Sequence, residues 1–231
     1  MRNKKNNLFE YEDSEYNLCV ANFLETTLFK LQAIKQNVNV ALSGGLTPLP
    51  ILYILSKSNL NWSKFSFFLV DERCVSLTDE KSNFKNLKKS FFNHIEANTY
   101  SIIDDNLNIE DSLIKYKSII NKRVDNENNF PSFDLILLGL GNDGHTASLF
   151  PETNALEESK EIVVKNYVKQ LNSYRLTLTY PVLLNAKQII VIAKGKEKKE
   201  LIKYLFSSTK NNFPISKITE ANTNLTWLTT I

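Results

Sequence analysis

The stretch Phe133-Asp-Leu-Ile-Leu-Leu-Gly-Leu-Gly-Asn-Asp-Gly-His-Thr-Ala-Ser-Leu-Phe-Pro151 decides how this chain is read. Its apolar run, Leu135 to Leu138, is bounded by turn residues and too short for a helix, as expected of a parallel strand buried on both faces. Gly139, Gly141 and Gly144 then let the backbone turn tightly and come close to a ligand. Asp143 and His145 stand in the same turn. In an open α/β sheet, ligands bind in the crevice outside the carboxyl ends of the strands, which makes this turn a candidate active site.

Gly139-Leu-Gly141-Asn-Asp-Gly144 also spells G-x-G-x-x-G, the dinucleotide fingerprint. That fingerprint needs a helix after the third glycine and a second strand ending in an acid. Here Pro151 limits any helix to about one or two turns. Glu157, Glu158 and Glu161 precede the next apolar run instead of following it. The context argues against a nucleotide.

Upstream, Val38 to Leu42 reads as a short strand running into Ser43-Gly-Gly-Leu-Thr-Pro48. Thr47 and Pro48 form an N-cap and N1 pair for a helix through Tyr53 and Leu55. Glycines leading into a helix N-terminus aim backbone N–H groups at one point, which suits a phosphate. Gly44 and Gly45, with the hydroxyls of Ser43 and Thr47, are the candidate cradle. A plain strand-to-helix bend stays open, and the P-loop lysine is missing. The strand Phe65 to Val70 ends on Asp71-Glu72-Arg73, which either reaches the same crevice or forms a solvated loop with an internal ion pair. Ser82-Asn83 caps a helix containing Leu87, Phe91 and Phe92, and His94 near its end suits the helix dipole.

A first helix with the stripe Val20, Phe23, Leu24, Thr27, Leu28, Leu31 and Ile34 starts after Asp13 or Ser14, either of which can cap it. A strand is expected over Tyr100 to Ile103, a helix through Leu113, Tyr116, Ile119 and Ile120, and a polar loop over Asp125 to Asn129. Beyond Pro151, Ile162 to Val164 and Tyr174 to Thr179 read as strands, with Arg175 at the start of the second. Gln188 to Ala193 is another, followed by Gly195-Lys-Glu-Lys198 and a helix through Leu201, Ile202 and Leu205. The alternation predicts an α/β fold, a mainly parallel sheet with helices on both faces. The later, closely linked strands leave an antiparallel edge open.

Composition bounds the rest. The 231 residues are 42% hydrophobic, enough for a full core, and no composition shift marks a boundary, so a single domain over 1–231 is expected. Lys plus Arg at 28 against Asp plus Glu at 25 is too small an excess to argue for nucleic acid or a membrane surface. Cys19 and Cys74 match no metal or disulfide spacing and fit a reducing compartment. The polar start has no signal-peptide core, and no apolar run nears the ~18 residues of a membrane span. A cytoplasmic protein is expected.

Ser43-Gly-Gly-Leu-Thr-Pro48, Asp71-Glu-Arg73, Ser82-Asn83, the block Gly139 to Pro151, Arg175 and Gly195-x-x-Lys198 resemble the 6-phosphogluconolactonases, in the right order. The resemblance covers nearly the whole chain. It implies a Rossmann-like fold of the deaminase/lactonase type and the glucosamine-6-phosphate isomerase/6-phosphogluconolactonase family. In the related deaminases the glycine-histidine turn is followed by a Phe-Asn-Glu-Pro type sequence, whereas Ser148-Leu-Phe-Pro151 stands here. Leu46 replaces the Ser common in the phosphate loop, and Cys74 follows Asp-Glu-Arg as either an oxidisable thiol or a passive small residue.

The implied reaction is hydrolysis of 6-phospho-D-glucono-1,5-lactone, without metal or other cofactor, in the oxidative pentose phosphate pathway. A lactone needs a water, a base and positive charge for the oxyanion. His145 suits the base. Asp143 either orients the imidazole or braces the loop. Arg73 is the candidate for the oxyanion or a sugar hydroxyl, and Asp71 for fixing Arg73 or binding a hydroxyl. Gly44, Gly45, Thr47, Arg175 and Lys198 are assigned to the phosphate, with Ser43 and Gly144 beside the substrate. The implied partner is the small-molecule sugar phosphate lactone, with functional or fused association with a glucose-6-phosphate dehydrogenase as a further expectation. Two other readings remain: an amino-sugar-phosphate deaminase/isomerase and a non-catalytic sugar-phosphate sensor.

Overall fold

The computed structural model describes residues 7–207, 211–221 and 224–230. In chain order the elements are β1 (Leu8–Tyr11), α1 (Tyr16–Ile34), β2 (Val38–Leu42), α2 (Pro48–Leu55), β3 (Phe65–Leu69), β4 (Asp71–Arg73), α3 (Asn83–Ser90), β5 (Asn98–Tyr100), α4 (Ile109–Arg123), β6 (Asn126–Glu127), β7 (Phe130–Pro131), β8 (Leu135–Gly139), β9 (Val163–Val168), β10 (Ser173–Leu178), α5 (Tyr180–Leu184), β11 (Ile189–Ala193), α6 (Lys196–Ser207), α7 (Pro214–Ala221) and β12 (Leu225–Thr230).

Short β-branched and apolar runs become strands buried on both faces: every residue of β2, β3 and β11 is buried. They form a seven-stranded sheet in the order β1-β12-β11-β8-β2-β3-β5, parallel at every pairing. β8 lies between β2 and β11, with Ala41 and Ile189 both opposite Ile136. The closely linked strands β9 and β10 do not extend this sheet. β4, β10 and β9 make a separate antiparallel sheet, joined to the main one where Val70 N–H donates to Leu42 O and Leu178 N–H donates to Val70 O. Asp71 to Arg73 is thus strand, not loop.

Several local expectations are corrected. Asp13 and Ser14 do not cap α1, because they lie inside a turn closed by Glu15 N–H to Glu12 O, and Glu15 is the cap residue. Ile34 ends the stripe in solvent. Thr47 already has helical angles, so its side chain makes no cap bond to α2. β5 ends at Tyr100, where the strand was expected to begin, because Ser101 turns the chain by donating to Ile103 O. The segment after Asp125 folds back as the β6–β7 hairpin, with Asn128 and Asn129 at positive φ. The terminal strands β1 and β12, with no expectation attached to them, complete the sheet; the Tyr16 hydroxyl ties α1 to β12 through Leu228 O.

One polar cluster holds the start of β8 to β2. Buried Asp134 accepts from Asn39 N–H at 2.9 Å and from Lys35 Nζ at 2.7 Å, with Lys187 at 3.8 Å. Partial burial works against the Lys35 charge, but hydrogen bonds from it to Asp134 and Asp125 outweigh that and hold the ammonium above its ordinary value. The stabilisation is therefore full below the unfolded lysine pKa and is lost as pH rises through the higher folded value. Lys35→Met should lower the unfolding free energy by about 1–3 kcal/mol, less than a fully buried pair because Lys187 stands in reserve. Urea unfolding at neutral pH measures this, and the gap between wild type and variant should shrink at strongly alkaline pH.

Candidate active site

The chain leaves β2 through α2 toward β3 and leaves β8 toward β11 on the opposite side. That reversal opens a crevice beyond the carboxyl ends of β2 and β8. A cleft of about 240 Å³ occupies it, and Ser43, Gly45, Thr47, Asp71, Arg73, His145 and Lys198 all line it. The structure therefore brings together residues separated by more than 150 positions. Gly44, Gly144 and Arg175 stand behind the lining, and Asp143 behind His145.

His145 is fixed from three sides. Its Nδ1 lies 2.5 Å from Asp143 Oδ1, and the same oxygen accepts from the His145 backbone N–H at 3.1 Å. A carboxylate only accepts, so Nδ1 carries the hydrogen and Nε2 is left as the open basic nitrogen. Partial burial works to raise the Asp143 carboxyl, but its bond to His145 and that ring's charge outweigh this and keep it below the ordinary aspartate value. The imidazole stacks on Phe150 at 4.0 Å between centroids. It also lies directly over Gly141, where any Cβ would overlap the ring. Gly144 has φ +77° and faces Phe213, so its glycine shapes the turn. Ala147, in the cleft wall, sits at φ +52° without glycine's freedom, the kind of backbone strain found at functional sites.

Asp71-Glu72-Arg73 contains no internal ion pair. Glu72 is fully buried and accepts from the backbone N–H groups of Arg73, Asn83 and Phe84 and from Ser82 Oγ, so it closes the N-terminus of α3. Ser82 caps the helix as read, accepting from Lys85 N–H at 3.1 Å. Asp71 Oδ2 accepts from Ser148 Oγ at 2.6 Å. Arg73 donates to Lys81 O at 2.5 Å and is paired across the small sheet with Arg175, whose Nη1 turns back to Ser173 Oγ and Tyr174 O. Neither guanidinium has a carboxylate in ion-pair reach among the described residues. Burial and the neighbouring Arg73 charge lower the Arg175 pKa. Two unneutralised guanidinium groups side by side make this wall attractive to an anion.

Sequence reading missed three neighbours. Asn83 was read only with its cap; its Nδ2 donates to Asp71 O, and Oδ1 is buried without a partner where Gly44 has no Cβ to displace it. Ser43 Oγ is a second buried, unpartnered atom there. Phe150 and Asn142 carried no signal beyond their places in the motif. Cys74 is half-buried and burial pushes its thiol up to about 11, against Lys165 and Arg175 pulling it down, which makes it the passive residue. Leu46 is 89% exposed on the loop that lines the cleft.

A family model described as glucosamine-6-phosphate isomerases/6-phosphogluconolactonase matches residues 12–227. The 6-phosphogluconolactonase of Chlamydia pneumoniae is 36% identical over 217 residues, 85% of this chain and 78% of that protein. The GDH/6PGL endoplasmic bifunctional protein of Oryctolagus cuniculus is 31% identical over 211 residues, covering 85% of this chain but 26% of that protein. The crystal structure of 6-phosphogluconolactonase from Thermotoga maritima superposes with a TM-score of 0.85 at 28% identity, over 97% of this chain and 99% of that one. No helix among the described residues is long and apolar enough to cross a membrane.

Gly141→Ala should displace the imidazole without disturbing the sheet. Turnover should fall by about 10²-fold or more, the scale of a misplaced reacting group, while the melting temperature changes little. Steady-state kinetics alongside thermal unfolding checks both halves.

Proposed function

The chain belongs to the glucosamine-6-phosphate isomerase/6-phosphogluconolactonase family, and we propose that it hydrolyses 6-phospho-D-glucono-1,5-lactone to 6-phosphogluconate, the second step of the oxidative pentose phosphate pathway. One domain over residues 1–231 carries the reaction. The supporting observation is the cleft that sets an Asp143-held imidazole with an open Nε2 beside Arg73 and Lys198.

Water attacks the lactone carbonyl carbon as His145 Nε2 takes its proton. Arg73 donates to the oxygen on which charge accumulates. When the tetrahedral intermediate collapses, the ring C–O bond breaks and the imidazolium returns the proton to the departing ring oxygen. Asp143 keeps Nδ1 protonated and stabilises the charged ring. The phosphate lies against Gly45, Thr47 and Lys198, with Ser43 beside it, while Gly44 and Gly144 shape the loops. Asp71, held by Ser148, offers an acceptor to a sugar hydroxyl. Arg175 adds positive field from behind Arg73 rather than a direct contact. A glucose-6-phosphate dehydrogenase supplies the lactone, in the way the bifunctional relative's name joins GDH to 6PGL. The two free thiols fit a reducing cytoplasm.

Aligned on the proline, the acid of the deaminase-type Phe-Asn-Glu-Pro sequence falls at Phe150, an apolar ring stacked on His145. That removes an acid–base group from beside the imidazole and favours the lactonase over the deaminase. Freshly made 6-phosphogluconolactone should release acid faster than its spontaneous hydrolysis, and glucosamine 6-phosphate should release no ammonia; ammonia without acid release would reverse the assignment. His145→Ala should lower kcat by about 10²–10⁴-fold with KM within a few-fold, and Asp143→Asn should lower kcat in the same sense by admitting the wrong tautomer. A fully active His145→Ala protein rules out the base.

A further inference from the structure

Asn142 is the residue of the catalytic turn whose side chain is bonded to α6. Its Nδ2 donates to Glu197 Oε2 at 2.5 Å, and its Oδ1 accepts from Lys198 Nζ. The two ends of an amide are normally hard to tell apart, but here the partners settle them: a carboxylate can only accept and an ammonium can only donate. Glu197 and Lys198 lie in the first turn of α6, and Lys198 alone of that pair lines the cleft. Burial holds the Lys198 ammonium below its ordinary value, while the Asp143 and Glu197 charges pull it back up. The other end of the turn is tied to the following helix, where Ile215 N–H donates to Gly144 O and Phe213 covers Gly144. The turn that carries His145 is therefore strapped to α6 on one side and α7 on the other.

We propose that Asn142 is a positioning residue which, oriented by Glu197, holds Lys198 at the cleft for capture of the substrate's phosphate. A lysine carries several freely rotating bonds, and fixing its ammonium beforehand removes part of the ordering cost that a bound anion would otherwise meet. Glu197 acts at one remove: by taking the amide N–H it leaves only the carbonyl oxygen to face the ammonium. The inference rests on the sugar-phosphate reading of the cleft. Its chemistry requires only an anion at Lys198, not turnover.

The test is a double-mutant cycle read by calorimetric binding of 6-phosphogluconate, a stable ligand, with lactonase kinetics run in parallel. Asn142→Ala should weaken binding and raise KM by about three- to ten-fold, the scale of one charge-assisted hydrogen bond at a partly exposed site, with kcat within about two-fold. Lys198→Ala should weaken binding more, and adding Asn142→Ala to it should cost nothing further. Asn142→Asp alone places two carboxylates together and should bind poorly. Asn142→Asp with Glu197→Gln restores one donor and one acceptor and should recover most of the affinity. Multiplying losses in the Asn142→Ala/Lys198→Ala protein, unchanged affinity in Asn142→Ala, a parallel fall in kcat, or wild-type protein that does not bind 6-phosphogluconate overturns the proposal. Wild-type protein that binds this ligand but releases no acid from the lactone fails the lactonase reading while the positioning of Lys198 stands.

Discussion

The parallel pairing of β8 with β2 is the constraint on which the rest of the molecule depends. Leu137 O accepts from Ser43 N–H one residue beyond the end of β2, so the ladder itself carries the two site loops to the same level. Because the chain departs in opposite directions from these two neighbouring strands, a cleft stays open above them among the described residues, and both glycine-containing loops line it. Asp134 and Asn39 secure the opposite end of the same pair. Register here is energetic as well as geometric: every residue from Leu135 to Leu138 is buried, and a slip would break the match with both β2 and β11 at once.

Charge in the cleft is arranged by what is kept out of reach. Glu72 is consumed by the α3 N-terminus and Asp71 is bonded to Ser148, so the carboxylates nearest Arg73 do not neutralise it. Arg175 lies beside Arg73 and reinforces it. Repulsion between adjacent guanidiniums costs stability in the free protein and is relieved by an anion, which is how a site of this kind stores affinity for phosphate or a developing oxyanion. The imidazole is held by the opposite device: a carboxylate that accepts twice, a flat aromatic ring beneath it, and a glycine where no side chain can intrude.

The parallel core was legible because its strands are apolar runs with turn residues at both ends, and the helices because their stripes repeat. What escaped was set by distance in sequence. β4 pairs with β10 about a hundred residues away, and β1 joins β12 across nearly the whole length of the chain, so no local pattern shows where these strands pair. Thr47 kept the spelling of a cap while its backbone entered the helix one residue early. At the site, the residue types singled out His145, Asp143 and the glycines, and for Asp143 the structure shows one oxygen meeting both the ring Nδ1 and the backbone N–H of His145. Arg175 was visible as a cation, but only the antiparallel register with Arg73 shows that it stands behind the lining. The contacts of Asn142 and Asn83 were not legible because an amide matters only through its partners, and those lie on other elements.

The central claim is that Asp143 holds His145 as the Nδ1–H tautomer, leaving Nε2 free to take a proton from water. The chain has two histidines, so a His94→Gln protein leaves His145 alone in a long-range proton–nitrogen NMR spectrum. Recorded at mildly alkaline pH, that spectrum should show a protonated Nδ1 and a bare Nε2, and Asp143→Asn should shift the ring toward the other tautomer. A wild-type ring protonated on Nε2, or a tautomer indifferent to Asp143→Asn, contradicts it.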